Sequence, residues 1–321
     1  KSLSIRWVLL ASQAIGKSRA YNLLMSEDVL ATIKAIRKLG IKVIARNSYC
    51  EIFGNGINGF KYKNGIIIDA KNSGTLGRLI LGLLIKSTNK IKIIGDKSLS
   101  KRDFSRVTVP LKKFGAKFSY KVKNKLPLTI LGSQISKGIN YIENKGSAQC
   151  KSSVMLAALN SSGTTYIKAK KSRNHSELLF KYLKVPIKIK KTKKYDFIEI
   201  KKPKKIFAFN YNIPGDISSS AFFMVLTILT KNSKLLIKNI NINPSRVGVI
   251  TILKKMGAEI YLKNKRNYKG EKISNILIQG SKNLRGINCP SELNTSAIDE
   301  FLIIFIAAAK AKGISYFNDI S

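Results

Sequence analysis

Four times along the chain an amphipathic helix end runs through a turn into an alternating strand: AIRKLGIKVI (35–44), PLKKFGAKFSY (110–120), LLFKYLKVPIKI (178–189) and TILKKMGAEIYL (251–262). The turn positions Gly40, Gly115, Lys184 and Gly257 are separated by 75, 69 and 73 residues. A regular period of that length implies a repeated supersecondary unit. Three of the turns hold the glycine favoured at a left-handed helix C-cap, and Lys184 departs from that pattern. A second echo supports the repeat, because Lys97-Ser98-Leu99-Ser100-Lys101-Arg102 nearly copies Lys1-Ser2-Leu3-Ser4-Ile5-Arg6. The stretch Asn212-Ile213-Pro214-Gly215-Asp216, after a lysine-rich strand region, reads as a domain boundary. Three units precede it and about one and a half follow. The expectation is an α/β protein with a first domain over 1–213 and a partial second domain over 214–321.

With 321 residues, 44% of them hydrophobic, the chain reads as globular with room for two domains. The longest apolar runs, Ala221–Thr230 and Phe301–Ala309, are shorter than the roughly 18 residues of a membrane span and are expected to be buried helices. Lys1 opens the chain without an apolar leader or an initiator Met, which leads us to expect a truncated start. Cys50, Cys150 and Cys289 are odd in number and far apart, so neither a disulfide framework nor a zinc knuckle is indicated, and a reducing, cytoplasmic setting fits.

The formal charge of +42 suggests a polyanionic partner, yet its 59 basic residues are mostly lysines scattered through every segment. That spread, alongside abundant Ile and Asn, resembles a coding bias toward A/T-rich codons more than a basic stripe. Non-specific polyanion binding follows from the charge; a specific nucleic-acid function does not.

Helix starts hold the sharper signal. Asn72-Ser73-Gly74-Thr75, Gly146-Ser147-Ala148-Gln149 and Asp216-Ile217-Ser218-Ser219 each precede an apolar helical run, and helix N-termini offer free N–H groups to anions. For any one of them taken alone, ordinary N-capping is the better explanation, since most helices carry a cap. The arginines tip the reading. Among so many lysines, Arg6, Arg78, Arg102 and Arg173 lie in or beside polar segments of this kind, and only a guanidinium can hold a carboxylate or phosphate with a planar fork.

Taken together these segments resemble the EPSP synthase family. KSLSIR (1–6) is similar to its KS(I/L)SxR motif, NSGTLGR (72–78) to NAGTxxR, GDKSLSKR (95–102) to GDxSLxxRP and GSAQCKS (146–152) to S-(S/A)-Q-xK. SRNHSE (172–177), PGDISSSAFF (214–223), NINPSRVG (241–248) and AIDEF (297–301) resemble TRDHTE, PGDxSSAAF, xxNPTRTG and xIDEx, all in the family's order. The resemblance implies a two-domain enolpyruvyl transferase fold, an inside-out α/β barrel of repeated units with buried helices, outer sheets and an active site in the interdomain cleft. It implies transfer of the enolpyruvyl group of phosphoenolpyruvate to shikimate 3-phosphate, on the route to chorismate and the aromatic amino acids.

By the same resemblance Lys1 touches both substrates, and Ser2 and Arg6 bind the carboxylate side of the shikimate. Ser147, Ala148, Gln149 and Arg173 hold its phosphate and ring. Asn72, Gly74 and Thr75 with Arg102 receive phosphoenolpyruvate, Arg78 supports that loop, and Asp299 handles the proton. No cofactor or metal is implied, and a cytoplasmic monomer is expected. The Ser-Ala-Gln version resembles a bacterial subgroup noted for glyphosate tolerance, but this chain keeps Gly74 where some of that subgroup carry Ala, so greater sensitivity is expected.

Some features depart from the family. Its ELRxKESDR segment and a later basic clamp do not occur before Ser321, so no turnover is expected from these 321 residues alone, and the strand that should precede Lys1 is missing. Asp103 stands where Pro usually follows Arg102, placing an acid beside a phosphate-binding arginine. Two rival readings stand beside this one. The sister transferase acting on UDP-N-acetylglucosamine places a Cys in a mobile Gly-rich loop, a context that none of the three cysteines occupies. A basic RNA-binding scaffold would need exposed aromatics interleaved on one sheet face, and the sequence is expected to have none.

Overall fold

The repeated junctions close into repeated sheets. The computed structural model describes residues 1–281 and 283–320, and it divides into two compact units, Lys1–Ile213 and Pro214–Ser321. The first unit opens with α1 (Ser2–Ser12), β1 (Ile15–Tyr21), α2 (Glu27–Lys38), β2 (Lys42–Arg46) and β3 (Tyr49–Asn55). A second set follows: β4 (Ile66–Asp69), α3 (Gly74–Leu83), β5 (Ile91–Ile94), α4 (Lys97–Lys101), α5 (Ser105–Lys113), β6 (Lys117–Tyr120) and β7 (Leu128–Leu131). The third comprises β8 (Asn140–Glu143), α6 (Ala148–Ala158), β9 (Thr164–Lys170), α7 (His175–Tyr182), β10 (Ile187–Lys191) and β11 (Tyr195–Lys201), and β12 (Asn210–Asn212) ends the unit.

Each set makes a four-stranded sheet of one pattern. The orders are β4-β5-β7-β6 and β8-β9-β11-β10, with the first two strands parallel and the others antiparallel. In the first set the place before α1 is filled by β12, which pairs parallel with β1 through Arg19–Asn210, Ala20–Tyr211 and Tyr21–Asn212. The strand expected before Lys1 therefore has a counterpart drawn from the far end of the same unit.

Helices lie inside and sheets outside. Every residue of α1 from Leu3 to Ser12 is buried, as is α6 from Cys150 to Ala158, which suits helices apolar on most sides. The strands instead alternate buried and exposed positions, as a sheet with one solvated face should. Helices α3 and α6 approach so closely that a Cβ on Gly82 would sit 2.1 Å from the Ser153 carbonyl oxygen, so only glycine fits there. All four junction residues take left-handed φ: Gly40 83°, Gly115 98°, Lys184 56° and Gly257 94°. Lys184 thus makes the same turn as the glycines, at a backbone cost of roughly 1–2 kcal/mol.

The second unit contains α8 (Ile217–Leu229), β13 (Lys234–Asn241), α9 (Gly248–Lys255), β14 (Ile260–Tyr268) and β15 (Glu271–Gln279), then β16 (Asn288–Cys289), α10 (Asn294–Ala297), α11 (Phe301–Ala309) and β17 (Tyr316–Phe317). Its sheets are β13-β15-β14 and the parallel pair β16-β17. The expectation that both apolar runs are buried is only half right. One face of α8 packs through Ala221, Met224, Val225 and Ile228, while Phe222, Phe223 and Leu226 are exposed. Leu302, Phe305 and Ile306 of α11 are exposed too.

Candidate active site

The segments singled out in the sequence form local clusters, each built on a helix start. Ser73 caps α3 by accepting from Leu76 N at 3.1 Å, and Ser147 caps α6 by accepting from Cys150 N at 3.3 Å. Asp216 caps α8 through Ser218 N at 3.2 Å. Capping and ligand binding are compatible, because each capping side chain satisfies one of the several N–H groups that a helix start presents.

The densest cluster surrounds Gly74. A Cβ there would meet Arg78 Nη1 at 2.7 Å and Arg102 Nη1 at 3.2 Å, so two guanidinium groups converge over one glycine. Arg78 donates from Nη1 to Gln149 Oε1 at 2.8 Å, and Gln149 Nε2 donates to Thr75 Oγ1 at 3.1 Å. Asn72 donates to Asp96 Oδ2 at 2.6 Å, while Asp96 Oδ1 caps α4 by accepting from Leu99 N at 2.7 Å. These capping bonds and Asn72 hold the Asp96 carboxyl below its ordinary pKa. Burial lowers the pKa of Arg78, and the neighbouring cations Arg102 and Arg106 press the same way, although Cys150 and Asp103 oppose them. The cluster thus concentrates positive charge where water is partly excluded.

Asp103 opposes this charge without an ion pair to Arg78 or Arg102 among the described residues. Its carboxylate turns to the start of α5, accepting from Ser105 N at 2.7 Å and from Ser105 Oγ at 2.6 Å. The acid expected beside Arg102 is therefore occupied as a cap.

A second cluster is buried where α1, α6 and the start of α7 meet. Arg6, 4% exposed, donates from Nε to Ser176 Oγ at 2.8 Å, from Nη2 to Ser152 Oγ at 3.0 Å and from Nη1 to the Ser2 carbonyl at 3.1 Å. Ser147 and Ala148 open α6, and Ser147 N donates to Glu143 Oε2 at 2.8 Å while Arg106 holds the other oxygen at 3.0 Å. Arg173 precedes α7 in a half-buried segment. Lys1 lies at the N-cap of α1 with Nζ 3.1 Å from Asp28 Oδ2.

In the second unit Arg246 joins three acceptors. It binds Asp299 Oδ2 at 2.8 Å, Glu300 Oε1 at 3.1 Å and the Ser218 hydroxyl. The Asp299 side chain remains 46% exposed, so a carboxylate held by a buried arginine still faces outward. Sequence reasoning quoted NPSRVG without assigning Arg246 a role; its signal was one more arginine in a lysine-rich chain. Asp96 lay within the GDKSLSKR motif without an assigned role, and Asp28 carried no signal beyond that of an acid in the first turn of α2.

A groove of about 520 Å³ over the third sheet lies apart from these residues. It corrects one expectation, since Tyr166 and Phe197 are exposed on the central strands of one face. That face is already engaged: Lys168 Nζ sits 4.8 Å from the Tyr195 ring centre and 5.9 Å from that of Phe197, and Glu199 pairs in register with Tyr166. Lys168 thus lies over two of the aromatics, with an acid beside them.

The sequence profile of EPSP synthase (3-phosphoshikimate 1-carboxyvinyltransferase) matches residues 1–321. A 3-phosphoshikimate 1-carboxyvinyltransferase from Ruthia magnifica subsp. Calyptogena magnifica is 42% identical over 320 residues, spanning 99% of this chain and 72% of that protein. The one from Hydrogenovibrio crunogenus is 40% identical over 316 residues, spanning 98% and 71%. Among solved structures, the EPSP synthase from Acinetobacter baumannii superposes with a TM-score of 0.87 at 36% identity, covering 98% of this chain and 71% of that one.

Proposed function

The chain belongs to the EPSP synthase family, and from that premise we propose that the clusters described above hold its two substrates. The reaction is transfer of the enolpyruvyl group of phosphoenolpyruvate to the 5-hydroxyl of shikimate 3-phosphate. The hydroxyl oxygen adds to C2 while C3 takes a proton. Loss of a C3 proton and cleavage of the C2–O bond to phosphate then restore the double bond and release phosphate.

The observation that carries the assignment is the pair of guanidiniums over Gly74. Phosphoenolpyruvate, with its phosphate and carboxylate, is received there by Arg102, Asn72, Gly74 and Thr75, with Arg78 fixing the loop. Ser147, Ala148, Gln149 and Arg173 hold the shikimate phosphate and ring, and Ser2 and Arg6 serve its carboxylate side. Because Arg6 is buried with Ser152 and Ser176, its part is to orient Ser2 and α6 as much as to meet a ligand. Both substrates are anions, so the cations lower their mutual repulsion as charge moves in the transition state. Lys1 meets both substrates, and Asp299, held by Arg246 and still exposed, is the base for the 5-hydroxyl.

Burial of Cys50, Cys150 and Cys289 supports this reading over the UDP-N-acetylglucosamine enzyme, whose cysteine belongs in an accessible loop. We take the enzyme to act as a cytoplasmic monomer without a specific nucleic-acid partner. Among the described residues no helix is long and apolar enough to cross a membrane.

The test uses the enzyme as its gene encodes it, following phosphate release that requires both substrates. Asp299→Asn is expected to lower kcat by about 10²–10⁴ with little change in either KM, the range for loss of a general base. A kcat within threefold of the parent removes Asp299 from the proton's path.

A further inference from the structure

Lys151 and Glu177 form an ion pair inside the first unit. Nζ lies 2.6 Å from Oε1, and the two side chains are 0% and 3% exposed. Among the described residues no hydroxyl, amide or carbonyl completes the ammonium's remaining protons or the second carboxylate oxygen. An ion pair stripped of water and given no such support gains little over two apolar side chains of similar size, because desolvation of both ions offsets their attraction. Stability alone therefore does not account for it.

Its placement does. Lys151 and Ser152 are consecutive on α6, and Glu177 and Ser176 are consecutive on α7. The serine hydroxyls meet at 2.7 Å, one residue along from the ion pair, and Arg6 donates to both. Two adjacent polar contacts between two helices define one axial register, whereas apolar packing tolerates sliding. Lys151 N donates to the Ser147 carbonyl, so the pair lies one turn below the start of α6, and Glu177 is four residues beyond Arg173.

We propose that Lys151–Glu177 is a positioning pair for shikimate 3-phosphate: it sets α6 against α7 so that Ser147–Gln149 and Arg173 address one phosphate together. The proposal rests on the assignment of those residues to that phosphate. Neither Lys151 nor Glu177 touches substrate, and both act through the helices that carry the binding groups.

The test replaces the pair by the apolar combination Lys151→Met with Glu177→Leu in the whole enzyme. Expected are a melting temperature equal to or above the parent's, kcat and the phosphoenolpyruvate KM within about twofold, and a shikimate 3-phosphate KM raised about five- to twentyfold. The charge-reversed pair Lys151→Glu with Glu177→Lys should recover part of that loss. A stable apolar variant with unchanged shikimate 3-phosphate KM overturns the proposal and leaves the pair a packing feature. Should that variant not fold, Glu177→Asp keeps the charges and shortens one arm; it should raise the same KM about two- to fivefold, and no change there overturns the proposal as well. Arg173→Ala separates the two layers of argument. If it leaves shikimate 3-phosphate affinity intact, the phosphate assignment falls and the proposal with it; if it weakens affinity while the apolar pair does not, only the proposal falls.

Discussion

Arg78 donates to the side-chain oxygen of Gln149 at 2.8 Å and so joins two sequence motifs that lie 71 residues apart. Gln149 passes the contact on to Thr75, and the guanidinium of Arg78 also stacks 5.1 Å from the centre of the Phe104 ring. The floor assigned to phosphoenolpyruvate and the helix start assigned to the shikimate phosphate are therefore one hydrogen-bonded construction.

Arg78→Lys tests that link. An ammonium keeps the charge but cannot reach Gln149 while lying flat on Phe104. Loss of a charge-assisted hydrogen bond in a half-buried site is expected to destabilise the fold by about 1.5–3 kcal/mol and to raise the phosphoenolpyruvate KM about tenfold. Urea unfolding and steady-state kinetics measure both, and parental values in each would show that the bond does not hold the loop.

Gly74→Ala addresses the converging guanidiniums. The new methyl would stand 2.7 Å from Arg78 Nη1 and 3.2 Å from Arg102 Nη1, so both arms must shift outward into the space that the resemblance gives to phosphoenolpyruvate and its longer mimic glyphosate. Crowding by one methyl costs on the order of 1–3 kcal/mol and discriminates against the longer ligand. The glyphosate inhibition constant is expected to rise more than the phosphoenolpyruvate KM. If the ratio of the two constants stays at the parental value, Gly74 does not contact the ligand.

Cys50 gives a pH signature. Burial raises its thiol pKa to about 12, with Arg37 opposing the rise and Glu51 adding to it. An unfolded thiol ionises near pH 8.5–9, so between there and about pH 12 the unfolded state has lost a proton that the native state retains. The stabilising contribution is present below about pH 8.5 and disappears as pH rises. Chemical denaturation of the parent and of Cys50→Ala at pH 8 and pH 10.5 should show the parent losing more stability over that interval. Parallel curves would place the thiol in water.

The sequence by itself determined the repeat. Helix, left-handed turn and alternating strand are local instructions, written in hydrophobic period and in a residue that tolerates positive φ, so they are visible at Gly40, Gly115 and Gly257, and Lys184 could be found by alignment to them. Motif order likewise identified the family and the residues that cluster around Gly74. Tertiary structure decided what depends on partners remote in sequence. That β12 completes the sheet of β1, that Arg6 is shared by Ser152 and Ser176, and that Arg78 meets Gln149 each required the position of a second group. The exposed faces of α8 and α11 make the same point from the other side. An apolar helix encodes its wish to be covered, but whether it is covered depends on how many neighbours pack around it, and only the assembled layers decide that.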